Sequence, residues 1–483
     1  MPPSSSSRLT VGPIHRHLLT MTLPMIGGVF SVIAFNLIDT YFISQLGTVP
    51  LAAMGFTFPI TMILGSISMG LGTGASSVVS RLVGEANQSS NEDNPTEDGD
   101  SSSTCTTVQA VSTHTILLCI LIALAFSIIG SLTIKPVFTA LGADENTLPL
   151  IQDYMKWWYV SIPFLIAPMS ANSLIRATGD AKTASLILLI GSGVNAILDP
   201  LLIFGLWGFP EWGMGGAAIA TIIARATTML VSFWFLHQRL NMIRWAALKT
   251  SITNILNSFK QVLTVGIPAI GTNLILPVGS AMITRMISEY GDTAIASFGV
   301  VSKLEGFTFI PIIAMATSLS AIIGQNYGAK LYHRVFDVLK LACWISMIYG
   351  AIVAVIVLSY GKVMLGWFDA SPDVVNAGYL FFAWVSWSYG LESIIWMVNT
   401  TFNAIGKPRY PIVFATLRVI VIYLPLGYWL NQQIGMGGIY AAIGLANLIV
   451  SAIGMYCIQK QRQRCENEHQ ASQPLPNSSL SAS

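Results

Sequence analysis

Charge is scarce in this sequence. Asp, Glu, Lys and Arg make up 10% of its 483 residues, where a soluble domain carries about 25%. So few ionic groups cannot cover the water-facing surface of a chain this long, and a bilayer is the implied second solvent. A net charge of +2 gives no particular attraction for nucleic acid, and no such partner is expected. Cys105, Cys119, Cys343, Cys457 and Cys465 have no C-x-x-C spacing, so neither a disulfide framework nor a zinc site follows. No phosphate-binding P-loop occurs, which argues against ATP as the energy source. The six histidines are spread thinly, and the longest polar loop lacks the His and acid cluster that an intramembrane transferase would need. A non-enzyme without a cofactor is therefore expected. A cleavable signal is missing too. The apolar stretch Leu18–Ile43 runs on without a small-residue cleavage site and reads as a retained first span.

Apolar residues supply the rest, at 53% of the chain. A spanning helix needs roughly 20 of them in a row. Twelve spans are expected, centred on residues 18–43, 52–78, 112–134, 157–177, 184–206, 214–236, 262–287, 294–324, 338–360, 378–404, 410–430 and 437–458. Placing both termini in the cytoplasm puts most Lys and Arg there, from Arg8 and Arg16 through Arg239, Arg244 and Lys249 to Lys460, Arg462 and Arg464. Only Lys135, Lys156, Arg285 and Lys362 then fall in outside loops. This asymmetry sets the orientation. The acidic, turn-rich segment 87–107 reads as a disordered cytoplasmic insertion, as do Pro2–Ser7 and Asn467–Ser483.

The two halves resemble each other. One constant offset superposes Pro24 on Pro268, Gly27 on Gly271, Gly47 on Gly291, Thr73 on Thr317 and Gly84 on Gly328. Further on, Met214-Gly215-Gly216 meets Met436-Gly437-Gly438 at an offset shortened by about the length of the acidic insertion. Six helices per unit bring the second unit in from the same side, so the repeat is parallel. Such duplication is typical of secondary transporters that rock one bundle against the other. The expected organisation is an N-terminal cytoplasmic tail (1–17), an N-lobe (18–236), a cytoplasmic linker (237–260), a C-lobe (261–458) and a cytoplasmic tail (459–483).

Four acids fall within expected spans: Asp39, Asp199, Glu305 and Glu392. A charge at a helix centre costs roughly 2.5–3.5 kcal/mol on insertion scales. Such acids persist if protonated, paired or wet, and each state couples readily to a proton or cation. Asn195 and Asp199 are four apart and share a helix face, while Pro200 frees a carbonyl nearby. An amide, a carboxylate and a carbonyl offer oxygen ligands to a hard cation. Asp39, with Asn36 three residues back, can meet them across the bundle; otherwise it sits near a helix end and touches headgroups. The C-terminal half has Ile283 where the first half has Asp39, so the acidic pair belongs to the first half only. Glu305, Glu392 and Arg418 are expected cavity residues: Glu305 facing the cavity or, equally, in a structural ion pair, Glu392 near the middle of the tenth span, and Arg418 as a partner for an acid or a lipid headgroup. Tyr41, Met62, Met69 and Met282 could line an adaptable cavity or pack against lipid. Arg225 is expected to be structural.

The stretches PMIGGVFSVIAFNLIDTYFISQLG, NAILDPLLIFGLWG with WGMGGAAIATIIA, and KLEGFTFIPIIAMATSLSAIIGQNYGA resemble the multidrug and toxic compound extrusion (MATE) family over nearly all of residues 15–460. That resemblance implies an all-α polytopic membrane protein with twelve transmembrane helices in two pseudo-symmetric six-helix bundles. It implies an antiporter that exports cationic or amphipathic compounds in exchange for protons or sodium. The first span of the second half, PAIGTNLILPVGSAMIT, lacks the embedded glutamate of NorM-like members, so the chain looks like the DinF-like branch. In that branch the coupling residues match Asp39, Asn195 and Asp199, with Thr221 a less secure fourth. If sodium is the coupling ion, Asp39, Asn195 and Asp199 would ligate it. The partners expected are small organic cations and the bilayer, for a monomer in the plasma membrane. The alternatives within the superfamily are a lipid-linked precursor flippase, disfavoured by twelve spans and few buried bases, and a metabolite exporter. A channel is disfavoured by the duplicated lobes.

Overall fold

The computed structural model describes residues 9–46, 48–89, 100–143, 145, 147–368 and 371–471. The first half holds α1 (Ile14–Ser44), α2 (Thr48–Ser89), α3 (Asp100–Ala140), α4 (Thr147–Val160), α5 (Ile162–Ala177), α6 (Ala181–Phe204) and α7 (Gly213–Trp234). The second holds α8 (Ile252–Ile287), α9 (Asp292–Thr308), α10 (Ile310–Gly328), α11 (Tyr332–Gly366), α12 (Pro372–Val385), α13 (Tyr389–Ala404), α14 (Arg409–Thr416), α15 (Leu424–Ile434) and α16 (Met436–Ala471). Among the described residues there is no β-strand. With no water to hydrogen-bond the backbone, helices are the natural answer to this composition.

Among the described residues, nine helical stretches are each long and apolar enough to cross a membrane. The pairs α4–α5 and α9–α10 are two more spans, bent by 42° and 44°. A single turn, Ser386–Ser388, joins α12 to α13, and this pair completes twelve. Proline explains two of these breaks. Pro163 and Pro311 stand in the first turns of α5 and α10, where a missing N–H does no harm but the preceding helix cannot continue through them. The fourth span of each half is thus broken, α4–α5 in one and α12–α13 in the other. The eleventh span carries a wide π turn, Leu417–Tyr423, between α14 and α15.

Three expectations change. The insertion 87–107 is not disordered throughout, because α2 continues to Ser89 and α3 begins at Asp100; residues 90–99 lie outside the described residues. The linker is shorter than 237–260, since α8 already begins at Ile252. It is also docked rather than free. The ring of His114, 1% exposed on α3, lies 2.9 Å from Ser258 Oγ and 3.0 Å from the Ala247 carbonyl. The Arg244 N–H donates to Thr113 Oγ1 at 3.0 Å. At the C-terminus α16 runs on to Ala471, so Asn467–Ala471 is helix; residues 472–483 lie outside the described residues. In each case a helix started by an apolar span propagates into polar sequence, because propagation is cheap once the nucleus exists.

The core has three large parts and a small fourth one of Ile43, Ile203 and Ala217. One cluster draws on both halves, including Leu18, Val79 and Leu174 from the first and Leu319, Val398 and Phe402 from the second. It lies at the end of the bundle that carries the termini. At the opposite end each half has its own core, around Phe138, Ile151 and Ile166 in the first and Phe298, Phe381 and Tyr440 in the second. The halves are therefore fused at the terminal end and separate at the other. Glycines make the fusion close. A Cβ on Gly84 or Gly328 would overlap the backbone of Gln325 or Arg81, and one on Gly324 would overlap Ser80. Small residues let α2 and α10 approach in the way membrane helices commonly do.

Polar stitches lie along the same seam. Gln325 Nε2 donates to the Ala177 carbonyl at 2.8 Å, and Ser77 Oγ to the Asn403 carbonyl at 2.5 Å. The segment before α1 is drawn in as well. The Leu9 N–H donates to Gln325 Oε1 at 3.3 Å, Asn326 Nδ2 to the Leu9 carbonyl at 3.2 Å, and Arg334 Nη2 to the Gly12 carbonyl at 3.0 Å.

Candidate functional site: two buried polar clusters

In the first half, Asp180 caps the start of α6 by accepting from the Thr183 N–H at 3.0 Å. Gly205, with φ of 66°, ends α6 where a side chain would be strained and would crowd Phe209 and Glu211. The Trp212 N–H then donates to the Leu202 carbonyl at 3.1 Å, and Gly216 lets α7 lie against that carbonyl. This tight reversal sets α7 beside α6, while α1 packs on the other flank of α6 through Gly28, whose Cα faces Ser185. Ser185 Oγ donates to the Pro24 carbonyl.

Asn195 and Asp199 on α6 are fully buried, and Asp39 on α1 is 7% exposed. Asn195 Nδ2 donates to Asp199 Oδ1 at 3.0 Å, the i,i+4 contact expected from the spacing. Asp39 faces inward and interacts electrostatically with Asp199, Tyr154 and Arg225, so the headgroup reading of its position is wrong. Thr221 is buried on α7, one turn before Arg225. Arg225 Nη1 donates to Ser161 Oγ at 2.9 Å, and its guanidinium lies 5.0 Å from the Trp158 ring centre. Asp39 Oδ1, Asn195 Oδ1 and Asp199 Oδ2 are buried with no hydrogen-bond partner among the described residues. All three are acceptors. Leaving such acceptors empty costs free energy, which a proton, water or a cation would offset. Among the described residues no group of three or more His, Cys, Asp or Glu side chains could hold a metal ion. A hard cation would thus depend on the amide as well as the two carboxylates.

The second half holds a different cluster. Arg418 Nη2 donates to Glu392 Oε1 at 2.7 Å, with 14% and 17% of the two side chains exposed. Asn447 Nδ2 on α16 donates to Ser388 Oγ at 3.0 Å and reaches Glu392 Oε2 only at 3.5 Å. Glu305 on α9 lies within electrostatic reach of Glu392, Arg418 and Tyr389. Glu392 belongs to the first turn of α13, just past the break, rather than to the middle of a helix. Asn36 turns its amide onto the Val32 carbonyl of its own helix at 2.8 Å. Tyr41, Met62, Met69 and Met282 are exposed on three different helices. Across the halves, Phe30 and Phe307 approach with ring centres 6.5 Å apart.

Sequence reasoning missed Tyr154 and Asn447 and gave Arg225 no part in the site. Asn447, alone in the apolar run IGLANLIVSAIG, carries the same signal that singles out Asn195.

Twelve spans in two fused halves, each with a buried polar cluster, define a multi-pass membrane transporter. The chain belongs to the MatE family, whose model matches residues 24–91, 104–201 and 268–429. It is 33% identical to the FAD transporter of Shewanella oneidensis over 459 residues, covering 95% of this chain and 96% of that one. It is 24% identical to the probable multidrug resistance protein YoeA of Bacillus subtilis over 391 residues, 80% of each. The crystal structure of the Vibrio cholerae MATE transporter VcmN in the bent form superposes with a TM-score of 0.84 at 26% identity, covering 94% of this chain and 98% of that one. The family resemblance read from the sequence and the twelve-helix, two-bundle fold are both met.

Proposed function

We propose that the chain is a secondary active exporter, driven by inward movement of protons or sodium, with Asp39, Asn195, Asp199 and Thr221 as its coupling residues. The observation that carries this reading is the trio of unpartnered buried oxygens on Asp39, Asn195 and Asp199. A proton or a small cation satisfies them, and its departure leaves two carboxylates whose repulsion favours repacking α1 against α6. Pro24 gives α1 a point to yield, because its ring removes one rung of the hydrogen-bond ladder. Loop charge supports a plasma-membrane orientation with both termini in the cytoplasm. The fused terminal end then closes the cytoplasmic side, and the two separate cores face outward. Lack of an acid on α8 between Ile267 and Thr284 supports the DinF-like reading.

Relatives named as multidrug resistance proteins support organic substrates, proposed here as cationic or amphipathic, and the chain is proposed to carry them as a monomer. A second substrate reading is favoured by one observation. The relative at 33% identity is named an FAD transporter, which supports a metabolite exporter for phosphorylated cofactors. The test is transport into inside-out vesicles, with ethidium and FAD as probes and proton and sodium gradients imposed separately. Uphill uptake under one gradient, lost in Asp199→Asn, supports the proposal and names the ion. Uptake that follows no ion gradient, or that survives both Asp39→Asn and Asp199→Asn, overturns it.

A further inference from the structure

We infer that the second-half cluster around Arg418 is a recognition site for a solute carrying an anionic group, phosphate or carboxylate, beside hydroxyl or amine donors. This rests on the exporter reading above and supplies the chemistry for its second substrate reading.

Arg418 sits in the π turn Leu417–Tyr423, and wide turns of this kind inside α-helices are frequent at functional sites. The other ion pairs among the described residues, Lys156–Asp153 and Arg462–Glu466, are exposed and local to one helix. Arg418–Glu392 is largely buried and joins two spans. A guanidinium offers five N–H donors in a planar fork. Glu392 takes one of them, and the others have no hydrogen bond among the described residues. An open fork matches the oxygens of a phosphate or carboxylate.

The surroundings are also unfinished. Asn447 is fully buried, its Oδ1 has no partner, and its Nδ2 barely reaches Glu392. Native interiors seldom leave such groups empty. The Arg225 guanidinium of the first half differs in that it donates to a neutral hydroxyl, Ser161 Oγ, and lies over the Trp158 ring, with no carboxylate in ion-pair contact among the described residues.

Charge refines the ligand class. Glu305, Glu392 and Arg418 sum to one negative charge when both acids are ionised, so a bare inorganic anion is a poor occupant. An organic solute fits better. Its anion displaces Glu392 from Arg418, and its hydroxyl or amine donors are accepted by Glu305 and Asn447 Oδ1. Glu392 then serves as a built-in stand-in that keeps Arg418 paired until the solute arrives. Without such a stand-in, an unpaired buried guanidinium would be costly.

The test uses full-length protein in detergent and FAD as probe, with binding followed by flavin fluorescence. Wild type is compared with Arg418→Gln, Arg418→Lys and Glu392→Gln, and ethidium export by wild type is measured in parallel vesicles. Loss of a charge-assisted contact weakens binding roughly 10- to 100-fold. That is expected for Arg418→Gln, with a smaller loss for Arg418→Lys, which keeps the charge and loses the fork. Glu392→Gln removes the competitor and is expected to tighten binding, a gain that misfolding cannot mimic. Three results overturn the inference: no FAD binding by wild type that exports ethidium, unchanged binding in Arg418→Gln, or equal loss in Glu392→Gln and Arg418→Gln. If ethidium is not exported under either gradient and FAD is not bound, the exporter reading falls and this inference falls with it.

Discussion

Replacing Asp199 by asparagine exchanges one carboxylate oxygen for an amide nitrogen at nearly constant volume. The contact from Asn195 Nδ2 at 3.0 Å survives, since the new side chain keeps a carbonyl oxygen there. What disappears is the charge and the acceptor at Oδ2, one of the unpartnered oxygens. The expected result is a folded protein that cannot couple. Exchange of one proton for one monocationic ethidium moves no net charge, so the concentration gradient does the work: about 1.7 pH units supply roughly 2.3 kcal/mol, and 1.4 kcal/mol corresponds to a factor of ten. A single coupled proton therefore sustains a substrate ratio of about 50. Steady-state ethidium accumulation in inside-out vesicles is expected to fall from that order toward unity in Asp199→Asn, while thermal unfolding stays near wild type. Asp39→Asn is expected to do the same. The reasoning is refuted if both variants keep the wild-type accumulation ratio, or if the loss coincides with a collapse of unfolding temperature.

Other perturbations separate coupling from architecture. Arg225→Gln leaves Asp39 without its cationic neighbour; uphill transport is expected to fall, and the double variant with Asp39→Asn is expected to lose no more than the worse single variant, a non-additivity measurable from initial rates. Gly84→Leu forces a side chain into the Gln325 backbone; overpacking of this kind costs typically 1–3 kcal/mol, and labelling of a cysteine placed at Ser77 from the terminal side is expected to rise. His114→Ala strips its two contacts, with Ser258 and Ala247; it is expected to lower stability by about 2–4 kcal/mol in a chemical-denaturation series while the ethidium accumulation ratio stays unchanged.

Much of the first cluster is legible in the sequence. Asn195 and Asp199 interrupt an apolar run at helical spacing, and helix geometry alone brings them together. Asp39 is visible as an acid in a span, but its cationic neighbour is not, because Arg225 arrives through a hairpin whose register depends on Gly205 and Gly216. The second cluster is legible as residues and not as a pair. Glu392 follows the turn Ser386–Ser388 and Arg418 lies in a π turn, so counting at 3.6 residues per turn misplaces both faces. The breaks at Pro163 and Pro311 follow from local chemistry. The break at Ser386–Ser388 contains no proline, and tertiary packing must fix it. Segment ends are the least legible, as α2, α3 and α16 show, because nothing in a polar sequence stops a helix already formed.

The contacts of Leu9 and Gly12 with Gln325, Asn326 and Arg334 have a consequence for biogenesis. Leu9 and Gly12 leave the ribosome long before the helices on which they dock, α10 and α11, whose contacting residues are made only after about two-thirds of this sequence. Until then Leu9, 1% exposed in the finished protein, has no surface to cover it. The nascent first bundle must therefore wait in the membrane with its terminal end uncapped, and sealing that end is one of the last events of synthesis. Chains stalled before Ile310 are expected to leave a cysteine at Leu9 open to a water-soluble maleimide, and chains stalled well beyond Gly366 to protect it. Equal labelling at both lengths would show that the cap forms without the second bundle.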